Sequence, residues 1–233
     1  MLTLQTFPPA FGLRTPSPFT LKAEVLLRMA GLAYERDFAD VRRAPRGKLP
    51  VLIDGDREIP DTAHIQRHLE EAHDAAFDTD VSEGQRAVAT AFRRLVEHHL
   101  YFIVGNLRWN DHGDAVRDEY FASVPRPVRN LVFRMVLRQV NKGYHLQGLG
   151  RHTREEQLAF AREDIDAIAA QLGDKPFFLG DEPRSIDATV YPAVAGLVDC
   201  TLGSPLNDHA KTKPNLVAYN QRCRERFFGG EIG

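Results

Sequence analysis

The chain has 233 residues, of which 43% are hydrophobic and 27% charged, with a formal net charge of −2. This balance predicts a globular protein of one large or two small domains, and it offers no basic surplus for nucleic acid or an anionic membrane. Its two cysteines, Cys200 and Cys223, form neither a disulfide framework nor a zinc-binding spacing, so we expect a reduced, cytoplasmic protein.

The first elements of the chain predict a βαβ unit. Residues 2–7 alternate in polarity, which is typical of a strand and not of a secretion signal. A proline-rich loop follows, in which Ser17 is placed to cap a helix that begins at Pro18 and ends at Gly31. Residues 32–38 predict a second strand. Because a helix joins the two strands, they should be parallel.

A predicted hairpin comes next. Residues 50–53 and 57–60 are short apolar stretches joined by a turn around Gly55, which predicts an antiparallel pair. Proline cannot donate an N–H to a sheet, so Leu49-Pro50 at the mouth of the first strand predicts a cis peptide bond in a tight turn.

An Asp-Thr pair follows the hairpin, where the chain enters a helix. Asp61 and Thr62 supply side-chain oxygens, and the helix start supplies free backbone N–H groups. The helix should run to about residue 73 and bury Ile65, Leu69 and Ala72. Together with Leu49-Pro50, the pair predicts a recognition site for a small carboxylate or peptide ligand.

From about residue 84 the hydrophobic period is helical. We expect helices over 84–106, over two segments of 115–142 separated at Pro125 and Pro127, and over 154–172, 185–199 and 214–227, with a loop at 109–114. No run of about eighteen apolar residues occurs, so no membrane span is predicted. The predicted domains are therefore 1–76 (α/β), a linker at 77–83, and 84–233 (all-helical).

Two motifs resemble the glutathione transferase superfamily. Residues 48–52 (KLPVL) with Asp61 and Thr62 resemble its cis-proline turn and acidic-hydroxyl pair. Residues 177–181 (FFLGD) with 185–188 (SIDA) resemble the loop that enters the buried helix of its second domain. The resemblance implies a thioredoxin-like α/β N-terminal domain followed by an all-α C-terminal domain.

Further stretches resemble one branch of that superfamily, the failed-axon-connections proteins, which are relatives of the metaxins. They are residues 15–22, 147–152, 180–181 and 187–189. The sequence departs from the superfamily pattern at Arg184, where a hydroxyl residue usually stands three positions before Asp187, and Ser185 is only two before it. We expect Asp187 to be a buried carboxylate that accepts loop N–H groups.

The resemblance implies glutathione as co-substrate and assigns roles around the hairpin. Thr62 would bind the γ-glutamyl carboxylate and Asp61 the ammonium group. Leu49 would pair its backbone with the cysteinyl part, and Lys48 and Pro50 complete the glutathione-binding stretch. The alternative is that Asp61 and Thr62 only cap a helix.

Candidates for the chemistry lie at the first helix. Ser17 stands where the helix dipole lowers the pKa of a nearby thiol, and its hydroxyl can donate to the sulfur of glutathione. Thr20 is an alternative for that role, and Ser17 as a simple N-cap is another interpretation. No cysteine is present there, so disulfide chemistry is not expected.

Aromatic and histidine residues provide two more candidates. Phe19, Thr20, His98 and Tyr101 are candidates for lining an electrophile pocket, although aromatic stripes also occur in cores. His64 and His68 are four residues apart on one helix, a spacing that can bind a metal. The sequence indicates no third ligand, so no metal site is expected.

The leading hypothesis is a glutathione transferase that joins the thiolate of glutathione to a small hydrophobic electrophile, as in detoxification. The resemblance also implies a homodimer. The alternative is a non-catalytic binding or protein-interaction module related to the metaxins, because a fold alone does not determine a function. The electrophile itself is not indicated by the sequence.

Overall fold

The computed structural model describes residues 1–231, which begin with a four-stranded mixed sheet. Its strands are β1 (Leu2–Thr6), β2 (Tyr34–Phe38), β3 (Val51–Asp54) and β4 (Arg57–Pro60), in the spatial order β2-β1-β3-β4. β1 is parallel to β2 and antiparallel to β3, and β3 is antiparallel to β4. The predicted βαβ unit and hairpin are thus confirmed.

Two helices pack on this sheet, α1 (Pro18–Met29) and α2 (Thr62–Ala72), and a short 3₁₀ turn spans Val41–Arg43. The expectation that Ala72 faces inward is wrong, because Ala72 is exposed and His68 is buried beside Ile65 and Leu69. His68 can lie inside because its ring is hydrogen-bonded to a carboxylate, which satisfies the buried nitrogen.

The rest of the described chain is helical. The helices are α3 (Glu83–Leu95), α4 (Tyr101–Asp111), α5 (Gly113–Tyr120), α6 (Arg126–Gln147), α7 (Arg154–Leu172), α8 (Asp187–Val198), α9 (Pro205–Lys211) and α10 (Pro214–Phe228). A π-helical turn at Val96–Leu100 joins α3 to α4, and a 3₁₀ turn lies at Leu149–Arg151. No helix within residues 1–231 combines the length and apolar character needed to cross a bilayer.

One local prediction about this helical part was wrong, and one helix was missed. The expected loop at 109–114 is helical, with a single break at His112 between α4 and α5. Trp109 stacks on Phe133 of α6, with ring centroids 6.2 Å apart, and this packing outweighs the turn-forming residues around it. The short helix α9 was not predicted at all.

Asp187 holds the start of α8, which is the central helix of this part, and the expectation that it is buried is confirmed. One carboxylate oxygen accepts the Phe178 N–H and the Tyr219 hydroxyl, and the other accepts the Arg184 N–H, all at 2.8 Å. Ser185 does not take part and donates instead to Asp78. The departure at Arg184 therefore changes the cap without changing the helix that it begins.

Candidate functional site

A cavity of about 60 Å³ lies where the N-terminal end of α1 meets α4 and α8. Most of its wall is apolar and comes from Pro16, Phe19, Leu100, Val104, Pro192 and Ala193. Six lining residues carry polar side-chain groups, namely Thr15, Lys22, Glu97, Tyr101, Arg108 and Thr189. An apolar pocket with a few converging polar groups is the usual form of a small-molecule site.

Two predicted pocket residues lie in this wall and meet there. The rings of Phe19 and Tyr101 pack edge to face, with centroids 4.7 Å apart. Burial raises the pKa of Tyr101 above its usual value, so the phenol remains protonated near neutral pH and can act as a donor.

His98, also predicted for the pocket, does not line it. Its side chain is exposed and lies 3.2 Å from a guanidinium nitrogen of Arg94. The lining positions of this helix recur at Glu97, Tyr101 and Val104, which is the helical period. His98 follows Glu97 in the π-helical turn, and successive residues of a helix point in different directions around its axis, so His98 faces outward.

A buried ion pair crosses the cavity wall between α1 and the π-helical turn. Lys22 Nζ lies 2.7 Å from a Glu97 carboxylate oxygen, and only 3% of the Lys22 side chain is exposed. Burial lowers the pKa of Lys22, while the nearby carboxylates of Glu97 and Asp61 oppose that shift. Lys22 therefore places a paired, buried charge in the cavity wall.

Arg108 fixes the loop that precedes α1. Its guanidinium donates a 2.8 Å hydrogen bond to the carbonyl oxygen of Pro16, and both residues line the cavity. Lys22, Glu97 and Arg108 were not predicted as site residues. These residues are spread from position 22 to position 108 and form no local sequence motif. Only their contacts between distant parts of the chain, Lys22 with Glu97 and Arg108 with Pro16, bring them to the cavity.

The hydroxyl groups at the start of α1 differ in how they are used. Ser17 caps the helix, and its oxygen accepts the Thr20 N–H at 3.4 Å, which leaves the hydroxyl proton free to donate. Thr20 is fully buried; it donates to the Ser17 carbonyl and shares a 2.7 Å hydrogen bond with Thr15. Of the two candidates for contacting a thiol, the geometry favours Ser17, which is only partly buried.

The predicted binding stretch forms one continuous edge. The Leu49-Pro50 peptide bond is cis, as predicted. Within the described chain, neither the N–H nor the C=O of Leu49 is paired with another backbone group. Lys48 beside it is exposed. A free backbone edge of this kind can pair with an extended peptide.

The Asp-Thr pair sits where that edge meets α2. Asp61 has a φ of 78°, in the left-handed region, and its carboxylate accepts the Ala63 N–H at 2.9 Å. Thr62 is the first residue of α2 and is 5% exposed. Asp61 is thus a helix cap, and its exposed carboxylate and the adjacent helix N-terminus also remain available to a ligand.

Comparison with known proteins identifies the family. Residues 18–113 match the family model described as the glutathione S-transferase N-terminal domain, and residues 161–223 match that of the C-terminal domain. An isoprene-epoxide glutathione S-transferase from Rhodococcus is 33% identical over 97% of this chain and 99% of its own length. The chain belongs to the glutathione S-transferase superfamily.

This chain is also similar to proteins of the predicted branch. Failed axon connections from Drosophila melanogaster is 30% identical over 92% of this chain, which spans 56% of that protein. Metaxin-1 from Macaca fascicularis is 31% identical over 82% of this chain and 64% of its own length. The predicted similarity to that branch is confirmed.

The fold is shared with solved glutathione transferases. A glutathione S-transferase from Methylobacterium radiotolerans, solved in complex with glutathione sulfonate, matches with a TM-score of 0.63 and 19% identity. The match covers 98% of this chain and 93% of that one. The predicted thioredoxin-like and helical arrangement is therefore confirmed.

Proposed function

We propose that this protein binds reduced glutathione and joins its thiolate to a small hydrophobic electrophile held in the cavity between α1 and α4. The observation that carries this proposal is the position of the cavity, which begins at the N-terminal end of α1, beside Ser17. A thiol bound at that end and an electrophile in the cavity would be neighbours, as a bimolecular transfer requires.

The binding half of the proposal rests on the edge formed by Leu49 and the start of α2. Glutathione is a peptide with two carboxylates and an ammonium group. The free backbone groups of Leu49 fit its cysteinyl part, the N-terminus of α2 at Thr62 fits a carboxylate, and the exposed Asp61 fits the ammonium group.

The catalytic half rests on Ser17. Its hydroxyl proton is not used in capping α1, and the positive end of the helix dipole favours a thiolate over a thiol. The protein's contribution is to hold the sulfur in its ionised form and to position it.

An epoxide is the electrophile class that we propose. The Rhodococcus relative is named for an isoprene epoxide, and this cavity is small and mostly apolar. Attack by the thiolate forms a carbon–sulfur bond and breaks a carbon–oxygen bond, which leaves a negative charge on oxygen. The protonated phenol of Tyr101 is suited to donate a hydrogen bond to that oxygen.

The first test is calorimetry with reduced glutathione on the purified chain, followed by steady-state conjugation of a small aliphatic epoxide. Binding and turnover should both be measurable, and Ser17→Ala should lower kcat/KM by about 10- to 100-fold while the glutathione dissociation constant changes little. Thr90→Ala, an exposed substitution on α3, is the matched control. An unchanged kcat/KM in Ser17→Ala removes Ser17 from the mechanism, and no binding at millimolar glutathione rejects the transferase proposal.

A second candidate is a binding module without turnover. Specific observations favour it: Ser17 also serves as the cap of α1, and the Thr20 hydroxyl is engaged inside the protein. If glutathione binds but no epoxide is conjugated, this candidate is supported over the first. Sedimentation of the same sample tests the homodimer that the family resemblance implies.

A further inference from the structure

Three metal-binding side chains meet at the far end of β3, outside the glutathione S-transferase site described above. Asp54 is the last residue of β3, His68 lies in the second half of α2, and His73 follows the end of α2. The Nε2 atoms of both histidines lie 2.8 Å from the same Asp54 carboxylate oxygen, and all three potential ligand atoms are within 4.8 Å of one another.

The exposure of the cluster suits an ion that enters from solvent. The His68 side chain is 6% exposed, while the side chains of Asp54 and His73 are 28% and 23% exposed. The cluster is therefore anchored on one side and open on the other. An open side leaves room for water to complete the coordination of a bound ion.

The donor set indicates which ions fit. Two imidazole nitrogens and one carboxylate oxygen suit borderline divalent ions such as Zn²⁺, Co²⁺ and Ni²⁺, and they are a poor set for Mg²⁺ or Ca²⁺. Around a tetrahedral Zn²⁺ with bonds of about 2.0–2.1 Å, neighbouring ligand atoms stand about 3.4 Å apart. The present 2.8 Å separations would widen by about half an ångström, which small side-chain rotations can supply.

We propose that Asp54, His68 and His73 form a binding site for a divalent transition-metal ion of the Zn²⁺ class, with solvent in the remaining coordination positions. Without the ion, both Nε2 atoms donate a proton to the carboxylate, which can only accept. Binding the ion requires each ring to present Nε2 as a lone pair, with its proton moved to Nδ1 or released.

From the sequence, the candidate metal-binding pair was His64 and His68, and no metal site was expected. The structure separates them. His64 is exposed and its Nε2 lies 3.5 Å from a guanidinium nitrogen of Arg46, whereas His68 faces His73 with ring centroids 5.6 Å apart. The missing third ligand is Asp54, and it lies on the neighbouring strand, 14 positions earlier in the sequence.

The test uses the full chain after removal of metal by a chelator. Co²⁺ is titrated while the visible absorption of low-coordinate Co²⁺ is recorded, and Zn²⁺ is then added to displace it. We expect one ion per chain and a rise in Tm when Zn²⁺ is added. His73→Gln and Asp54→Asn should each weaken binding by about 100-fold or more.

His64→Gln is the matched control, because it removes an exposed imidazole from the same helix. It should bind Co²⁺ as the wild type does. Far-UV circular dichroism and the Tm without metal establish that each variant is folded, and His73→Gln, at the more exposed ligand, keeps the test valid if Asp54→Asn unfolds. The proposal is overturned if the wild type gives no saturable Co²⁺ spectrum, or if His73→Gln binds as tightly as His64→Gln.

Discussion

Replacing Asp187 by alanine removes the carboxylate that holds the start of α8, and the cost should depend on pH. The variant leaves the Phe178 N–H, the Arg184 N–H and the Tyr219 hydroxyl without their acceptor. Hydrogen bonds to a charged group contribute about 1.5–3 kcal/mol each, but burying that charge is itself unfavourable. We therefore expect a net loss of about 2–4 kcal/mol in the free energy of unfolding at pH 7.5.

The pH dependence follows from the pKa of Asp187, which burial raises from its ordinary 3.8 to about 6. A carboxyl group whose folded-state pKa is raised contributes stability that is fully present below pH 3.8 and is lost as the pH rises through about 6. The complete effect is about 3 kcal/mol, and about 2 kcal/mol of it falls between pH 4.5 and pH 7.5. The difference between wild type and Asp187→Ala should therefore be about 2 kcal/mol larger at pH 4.5.

Urea unfolding of both proteins at four pH values from 4.5 to about 7.5 measures this difference, since other titrating groups cancel between them. Asp187→Asn is the control for shape. Its amide oxygen can still accept hydrogen bonds from the Phe178 N–H and the Tyr219 hydroxyl, so Asp187→Asn should lower the free energy of unfolding by less than Asp187→Ala. Because an amide does not titrate, the difference between wild type and Asp187→Asn should change with pH as it does for Asp187→Ala. A difference that is constant with pH, or that grows as the pH rises, would refute the reasoning.

Three further experiments test the site. Thr62→Val keeps the side-chain shape but removes a hydroxyl at the start of α2, so calorimetry should give about tenfold weaker glutathione binding. An unchanged dissociation constant would contradict the proposed role of Thr62 in binding a carboxylate of glutathione. Lys22→Met leaves the Glu97 charge unpaired and should lower the free energy of unfolding, measured in urea, by about 3–5 kcal/mol. The double variant Lys22→Met with Glu97→Leu should restore most of that loss. If the losses of the two single variants simply add in the double variant, the pair is not coupled. Gly105 lines the cavity, and Gly105→Ala places a methyl group 2.5 Å from the hydroxyl oxygen of Tyr144 behind it, so the wall must shift. KM for the epoxide should therefore rise while glutathione affinity stays the same, and an unaffected KM would place the electrophile elsewhere.

Local signals in the sequence predicted most of the fold. The four strands, the cis bond at Pro50 and the start of α2 at Thr62 each depend on a few adjacent residues, and they were predicted correctly, with the strand ends within two residues. The errors lie where distant contacts decide the conformation. Trp109 is helical because it stacks on Phe133, and nothing near Trp109 in the sequence records that contact.

The same contrast between local signals and distant contacts applies to the two halves of the candidate site, the edge at residues 48–62 and the cavity. The edge proposed to bind glutathione could be predicted because residues 48–62 are one continuous stretch, whose turn and helix start depend on their own neighbours. The cavity is assembled from α1, α4 and α8, and its buried ion pair joins residues 75 positions apart, Lys22 and Glu97. A change at Lys22 should therefore alter the cavity, whereas a change at Leu49 should alter the proposed binding edge.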